Sequence, residues 1–184
     1  MYMQLYLFFN ETIMAVNIRT REQLETDNDQ ITIILNNAFG KNRFERTVYL
    51  YRKTSPIKNL SLVSYMENNP SYVIGTINFY PVLVNNIQCI LLGPLAVRTF
   101  YQGKGFGKEL VKRGLELAIT EGQKICFVSG DYEYYKDFNF YKIKDKDLVI
   151  STLGPLSFDN LLVSELKPDS LNLLPKTSKL LPVI

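Results

Sequence analysis

Polar and apolar positions alternate at Val16-Asn17-Ile18-Arg19, the pattern of a half-buried first strand. Over residues 29–39 the rhythm changes. Ile31, Ile34, Leu35 and Ala38 recur at helical spacing, and Gly40 supplies a stop. Residues 43–52 carry a second, weaker helical pattern, and Pro56 and Asn59 then mark a loop. Residues 60–66 and 72–84 are rich in β-branched and aromatic side chains. They predict a hairpin whose loop, Asn68-Asn69-Pro70-Ser71, is longer than the tightest turn. Asn85-Asn86 predicts a tight turn into a third strand, Ile87–Val97, which Gly93-Pro94 interrupts. A proline within a strand removes a ladder donor, so an edge, a bulge or a splay is expected there.

In the second half, Leu110, Val111, Leu115, Ala118 and Ile119 line one face of a helix expected over residues 107–121, with Lys108, Lys112 and Glu116 on another face and Gly122 as its cap. Residues 124–129 form a short buried strand and complete a β-α-β crossover. Asp131 is placed to cap a short helix bearing Tyr134 and Tyr135. Phe138, Phe140, Val149, Leu161 and Val163 mark closing strands. From Pro168 onward the chain is expected to lie extended over the domain. The pattern predicts one α/β domain with a mixed sheet over residues 15–166, an extended tail over 167–184, and an N-terminal extension or mis-assigned start over 1–14, with Met14 as the alternative start.

Composition narrows the chemistry. The 184 residues are 46% hydrophobic and 21% charged, which suits one globular domain. A net charge of +3 without a long basic run argues against nucleic acid. The sequence has no His, which excludes a His general base, a Ser-His or Cys-His nucleophile and a His-ligated metal. Acid–base work falls to Tyr, Lys, Asp, Glu, Cys, a terminal amine or water. Cys89 and Cys126 lie in apolar runs and predict buried thiols, with no disulfide framework or zinc cluster, as in a reducing cytoplasm. The apolar patch within residues 1–14 has no basic flank or cleavage site and is too short to span a bilayer, so neither a signal peptide nor membrane attachment is expected.

The stretch Gln102-Gly103-Lys104-Gly105-Phe106-Gly107 places three glycines just ahead of the amphipathic helix. Amides there face outward at a helix N-terminus, where the dipole favours an anion, so the segment predicts a pyrophosphate cradle. A ligand-free glycine turn is the plainer alternative. The spacing is wrong for the ATP-type loop, since Gln102 stands five residues before Gly107 and Glu109 follows Lys108. It is also wrong for the dinucleotide fingerprint, because Lys108 or Leu110 falls where the third glycine belongs.

Gln102-x-x-Gly105-x-Gly107, after the strand end Leu92-Gly93-Pro94-Leu95-Ala96-Val97, resembles the signature of the GCN5-related N-acetyltransferases (GNAT). Gly130-Asp131-Tyr132-Glu133-Tyr134-Tyr135-Lys136-Asp137-Phe138-Asn139-Phe140 is similar to a stretch of a small bacterial branch of that family, with Asn139 where Gly is usual. Asn tolerates positive φ, so the turn is expected to survive. The resemblance implies the acyl-CoA N-acyltransferase fold: a central, splayed, mostly antiparallel sheet flanked by helices. It implies transfer of an acetyl group from acetyl-CoA to a primary amine by direct attack, in a cytoplasmic monomer or homodimer that needs no metal.

By the same resemblance, the amides of Gly103, Lys104, Gly105, Phe106, Gly107 and Lys108, with Gln102, would hold the CoA pyrophosphate, and Lys104 and Lys108 would add charge. Leu95, Ala96 and Val97 would pair with pantetheine like another strand, with Val97 N–H near the acetyl carbonyl. Tyr135 would protonate the leaving thiolate, with Tyr134 as alternate; the plainer alternative is that both are core or surface aromatics, and for Tyr135 position and helix context favour the catalytic role. No carboxylate occurs in residues 87–95, where many relatives place Glu, which leaves Glu67, Glu133, Asp131 or water as base. That gap favours an alternative: a CoA-binding module with weak or no catalysis, a sensor or scaffold. The acceptor, a small molecule or a protein, would be set by the loops around residues 38–60 and 141–160, which show no diagnostic charge cluster in sequence.

Overall fold

A computed structural model describes residues 3–9, 12–154 and 160–184, with side chains described for 17–154 and 160–184. Ten strands and three α-helices follow in the order β1 (Met3–Phe9), β2 (Thr12–Glu22), α1 (Asn28–Phe39), β3 (Leu62–Met66), β4 (Asn69–Val84), β5 (Ile87–Val97), α2 (Phe106–Thr120), β6 (Ile125–Ser129), α3 (Tyr132–Tyr135), β7 (Tyr141–Lys142), β8 (Val149–Ser151), β9 (Leu161–Glu165) and β10 (Thr177–Pro182). The main sheet runs β1-β2-β3-β4-β5-β6-β9-β7. Its neighbours are antiparallel except β5 and β6, which α2 connects in parallel, the expected crossover. The fold is the mixed, mostly antiparallel α/β sheet that the sequence pattern predicts.

Leu62 and Val63 show how the layers form. Consecutive strand residues point to opposite faces. Leu62 joins the cluster beneath α2, with Ile77, Phe79, Ile90, Leu92, Leu110 and Val111. Val63 joins Ile31, Ile34 and Leu35 of α1 on the other side. A third cluster, including Tyr51, Val82, Leu91, Phe127, Ile150 and Leu180, packs the far end of the sheet. Each fully buried Leu, Ile or Phe contributes about 1.5–3 kcal/mol relative to exposure, so these layers hold the sheet in one register. Cys89 and Cys126 are buried and unbridged, as expected. Among the described residues no helix is long and apolar enough to cross a membrane.

Five local expectations differ from the structure. The β3–β4 turn is tight: Met66 pairs with Asn69, leaving Glu67 and Asn68 to make it, so Asn69, Pro70 and Ser71 belong to the strand. Pro70 is tolerated because β5 joins β4 only from Gly75 onward, and that edge requires no ladder donor. Residues 43–52 form two 3-10 segments, Arg43–Glu45 and Thr47–Tyr51, because Arg46 is extended (φ −69°, ψ 137°) and interrupts any helix. Phe138 ends a 3-10 segment and Phe140 precedes β7, so neither is a strand residue. The C-terminal segment does more than lie across the domain. β10 pairs antiparallel with the end of β4 and parallel with β8. The first strand expected at residues 16–19 is the centre of a longer β2, against which β1 pairs along its length.

Candidate functional site

The site is built around the end of β5. This strand pairs with β6 only at Ile90, Leu91 and Leu92. Beyond them β5 runs on through Gly93, Pro94, Leu95, Ala96 and Val97 with β4 alone beside it, and the opposite β4 register slips between Ile77 and Phe79. The Gly93–Pro94 peptide is cis, and Pro94 lacks a donor, so the ladder to β6 stops there. The edge of Leu95, Ala96 and Val97 that faces away from β4 is left without a strand partner, the splay that the sequence implied.

The glycine segment closes on this edge. Gly105 takes a left-handed conformation (φ 89°) and is the cap of α2, a geometry that costs glycine little. The Glu109 N–H donates to the Gly105 carbonyl at 3.0 Å and is the first amide of the helix with a backbone acceptor, so those of Phe106, Gly107 and Lys108 are free to meet a ligand. The Gln102 side-chain amide donates to the Val97 carbonyl at 2.9 Å and ties the turn to the strand end. A cavity of about 500 Å³ lies between strand and turn; Leu95, Ala96, Val97, Gln102, Gly103, Gly105, Phe106, Gly107, Lys108 and Tyr134 are in its wall. Gly107 is needed for the shape, since a Cβ there would fall 2.9 Å from the Tyr134 hydroxyl. Lys108 also pairs with Asp137 at 2.7 Å, both side chains half exposed. Lys104 is not in the wall; its ammonium stacks over the Phe100 ring, 4.2 Å from the centroid.

A second cavity, about 600 Å³, opens on the other side of the splay. Phe39 and Leu95 belong to both walls, so the two spaces meet there. Tyr135 lines the second cavity and Tyr134 the first, although the residues are adjacent and their rings pack edge-to-face at 4.9 Å. The Asp131 side chain accepts from Glu133 N–H at 3.1 Å and starts the helix that carries both rings, the expected cap. Asn139 holds φ 60°, so Asn preserves the turn after that helix. Tyr135 is only 8% exposed and packs on Phe140. Burial pushes its phenol well above the ordinary tyrosine value, the neighbouring Tyr134 and Cys126 add to this, and Arg52 opposes it. Burial alone raises Tyr134.

No base emerges from the carboxylates named in sequence. Glu67 pairs with Arg19, Glu133 pairs with Lys136, and Asp131 serves as a cap, and none of the three lines either cavity. Neither wall contains an Asp or Glu among the described residues. The structure adds Phe39, Arg46, Tyr49 and Arg52 to the second wall. Phe39 comes from the end of α1; the sequence signal of the other three is an Arg- and Tyr-containing stretch at 43–52, whose side chains converge after the 3-10 segments turn it.

Comparison with known proteins places this arrangement among acetyltransferases. The family described as Acetyltransferase (GNAT) family matches residues 28–143, well over half of the chain. The uncharacterized N-acetyltransferase YhbS of Escherichia coli strain K12 is 29% identical over 130 residues, which cover 70% of this chain and 76% of YhbS. The crystal structure of YhbS in complex with CoA superposes with a TM-score of 0.76, at 24% identity, over 92% of this chain and 93% of that one. A GNAT family acetyltransferase from Brucella melitensis in complex with acetyl-CoA gives 0.65, at 22% identity, over 90% and 96%. At these identities the two structures share the fold.

Proposed function

Because the chain belongs to the GNAT acetyltransferase family, we propose that it is an acetyl-CoA-dependent N-acetyltransferase acting on a primary amine. One observation carries this reading: free amides at the N-terminus of α2 and the unpaired edge of β5 face the same cavity. An anionic pyrophosphate suits the first, and a peptide-like pantetheine arm suits the second. The crystal structures of YhbS and the Brucella melitensis relative contain CoA and acetyl-CoA, which supports the same ligand here.

The residues divide the work by place. The backbone amides of Gly103, Lys104, Gly105, Phe106, Gly107 and Lys108 provide the anion cradle, with the Lys104 side chain outside the cavity wall, and Gln102 positions it by holding the Val97 carbonyl. Leu95, Ala96 and Val97 offer backbone groups to the pantetheine amides. Acetyl-CoA supplies a thioester that a neutral amine attacks directly. Val97 N–H is the donor for the carbonyl oxygen as charge develops there. Tyr135, kept protonated by burial, supplies the proton for the departing thiolate, with Tyr134 as alternate. The second cavity, beyond the splay, receives the amine.

Acetyl-CoA should raise the thermal midpoint of the protein, and thiol release should follow addition of an accepted amine. Absence of stabilisation by acetyl-CoA would refute the reading. A CoA-binding module with weak or no catalysis is the second reading, favoured by the lack of Asp or Glu in either wall among the described residues. Stabilisation without turnover across a broad amine panel would select it.

A further inference from the structure

Arg52 is the unusual group in the second cavity. Its guanidinium lies directly against the splay: a Cβ on Gly93 would fall 2.9 Å from Nη2, and Gly93 holds φ 116°. The absent side chain thus lets a cation reach the point where β5 leaves β6. The rings of Tyr49 and Tyr80 flank the guanidinium, at 4.7 and 5.5 Å from their centroids. Nε is buried and has no hydrogen-bond partner among the described residues. Burial pushes Arg52 below its ordinary value, the two tyrosines oppose this, and nearby Arg46 lowers it further. A guanidinium remains charged even so.

Arg46 stands in the same wall, stacked 5.4 Å from the Phe39 ring centroid. Neither arginine forms an ion pair with any described carboxylate, whereas Arg19, Arg21 and Arg113 each do. Among the described residues the wall therefore presents two positive charges and no negative one. A simple cationic amine would be repelled from such a wall, and a half-buried guanidinium without a counter-ion is costly to keep. A ligand that brings its own oxyanion removes both difficulties, because the planar fork of Arg binds carboxylate or phosphate with two parallel hydrogen bonds.

We infer that the acceptor is an amine that also carries an anionic group, a carboxylate or a phosphate, and that Arg52 binds this group while Arg46 receives it at the mouth of the cavity. This rests on the second cavity being the acceptor side of an N-acetyltransferase.

The test uses matched amines with acetyl-CoA. A free α-amino acid is compared with its amide and its decarboxylated amine, and O-phosphoethanolamine with ethanolamine. The anionic member should have a kcat/KM at least tenfold higher, and whichever pair shows the preference identifies carboxylate or phosphate. Arg52→Gln should abolish the preference and leave acetyl-CoA binding unchanged by calorimetry, the change expected when a charge-assisted contact is lost. Arg46→Gln, at an exposed position, should reduce it at least threefold and covers the case in which Arg52→Gln does not fold. In parallel, an N-acetyl amino acid and its amide, and N-acetyl-O-phosphoethanolamine, are titrated into the protein with and without CoA. The acetylated acid or phosphate should bind at least tenfold tighter than the amide, and Arg52→Gln should remove this. Equal binding of acid, phosphate and amide, a preference for neutral amines, or a preference that survives Arg52→Gln overturns the inference. Loss of acetyl-CoA binding by the wild-type protein instead refutes the acetyltransferase reading, while the titrations without CoA still report on the arginines.

Discussion

Tyr135→Phe separates catalysis from folding unusually well in this protein. The substitution removes one oxygen and keeps the ring. The packing contacts of that ring, 4.9 Å to Tyr134 and 5.5 Å to Phe140, are retained, as is its close approach to Gly130. The hydroxyl is not among the described buried polar atoms that lack a partner. Stability should therefore change by less than about 1 kcal/mol, the scale of a single hydrogen bond. Truncation to Ala would instead cost about 3–5 kcal/mol through lost packing and would confound the test. If the phenol protonates the leaving thiolate, kcat should fall by roughly 10²–10⁴, the usual worth of a general acid. Acetyl-CoA affinity should hold, because Tyr135 lines the other cavity and not the proposed CoA cavity. Thiol release followed with a chromogenic disulfide reads the rate. The protein's own thiols do not interfere, since burial pushes Cys89 up to about 12 and Cys126 higher still. A raised phenol pKa also means that wild-type kcat should show no basic limb from this group below about pH 10. Unchanged kcat in Tyr135→Phe with normal folding would refute the acid role, and a loss confined to Tyr134→Phe would transfer it to the neighbour.

Other perturbations probe the remaining parts. Gly107→Ala puts a methyl 2.9 Å from the Tyr134 hydroxyl; acetyl-CoA should bind at least tenfold more weakly by calorimetry, while helix propensity offsets strain to within about 1 kcal/mol in chemical denaturation. Asp27, 2% exposed, accepts two bonds from Arg21 at 2.6 and 2.9 Å and one from Leu24 N–H at 2.8 Å. Burial disfavours its charge, yet the Arg21 and Leu24 bonds prevail and hold its carboxyl below the ordinary value. Its contribution is then full above the unfolded carboxyl pKa and is lost as pH falls through the lowered folded value. Asp27→Asn should cost about 3 kcal/mol at neutral pH and flatten the acid limb of stability measured by urea unfolding. For the acceptor, a positive wall favours the neutral amine. The acid limb of kcat should therefore move to higher pH in Arg52→Gln, and a limb that stays put or moves down contradicts that role.

Much of this structure was legible in sequence where a signal is local. Ile31, Ile34 and Leu35 announce α1 through their spacing, and Leu110, Val111, Leu115 and Ala118 do the same for α2. Gly103, Gly105 and Gly107 mark the turn because few other residues accept its φ values or the nearness of Tyr134. The features that were missed depend on distant partners. Register between β3 and β4, which draws Asn69 into the ladder, is set by bulges at Ser64 and Tyr65 that no short window reveals. β10 is a strand because β4 and β8 offer it edges about 98 and 28 residues earlier along the chain, although Pro175 and Pro182 suggest loose chain. Arg46 and Arg52 form no charge cluster in sequence, and the folded 3-10 segments set both in one wall.

The two readings of function differ in how they explain the missing carboxylate, and the arginines alter the weight of that gap. In a GNAT site an amine must lose a proton before it attacks. A carboxylate base accomplishes this by accepting the proton, and none lines either cavity among the described residues. A cationic wall achieves part of the same end from the opposite direction. It disfavours the ammonium form, so that a larger fraction of bound amine is neutral and water suffices as acceptor. Two guanidinium charges opposite one substrate carboxylate leave that bias in place after binding, whereas a phosphate dianion would offset both. The same wall would be a liability in a module that only stores CoA, since it spends burial of Arg52 beside Gly93 on a space that the CoA cradle does not use. The absence of a carboxylate among the described residues of either wall, which in sequence favours a catalytically silent protein, is under the inferred acceptor chemistry one half of an electrostatic arrangement suited to an anionic amine.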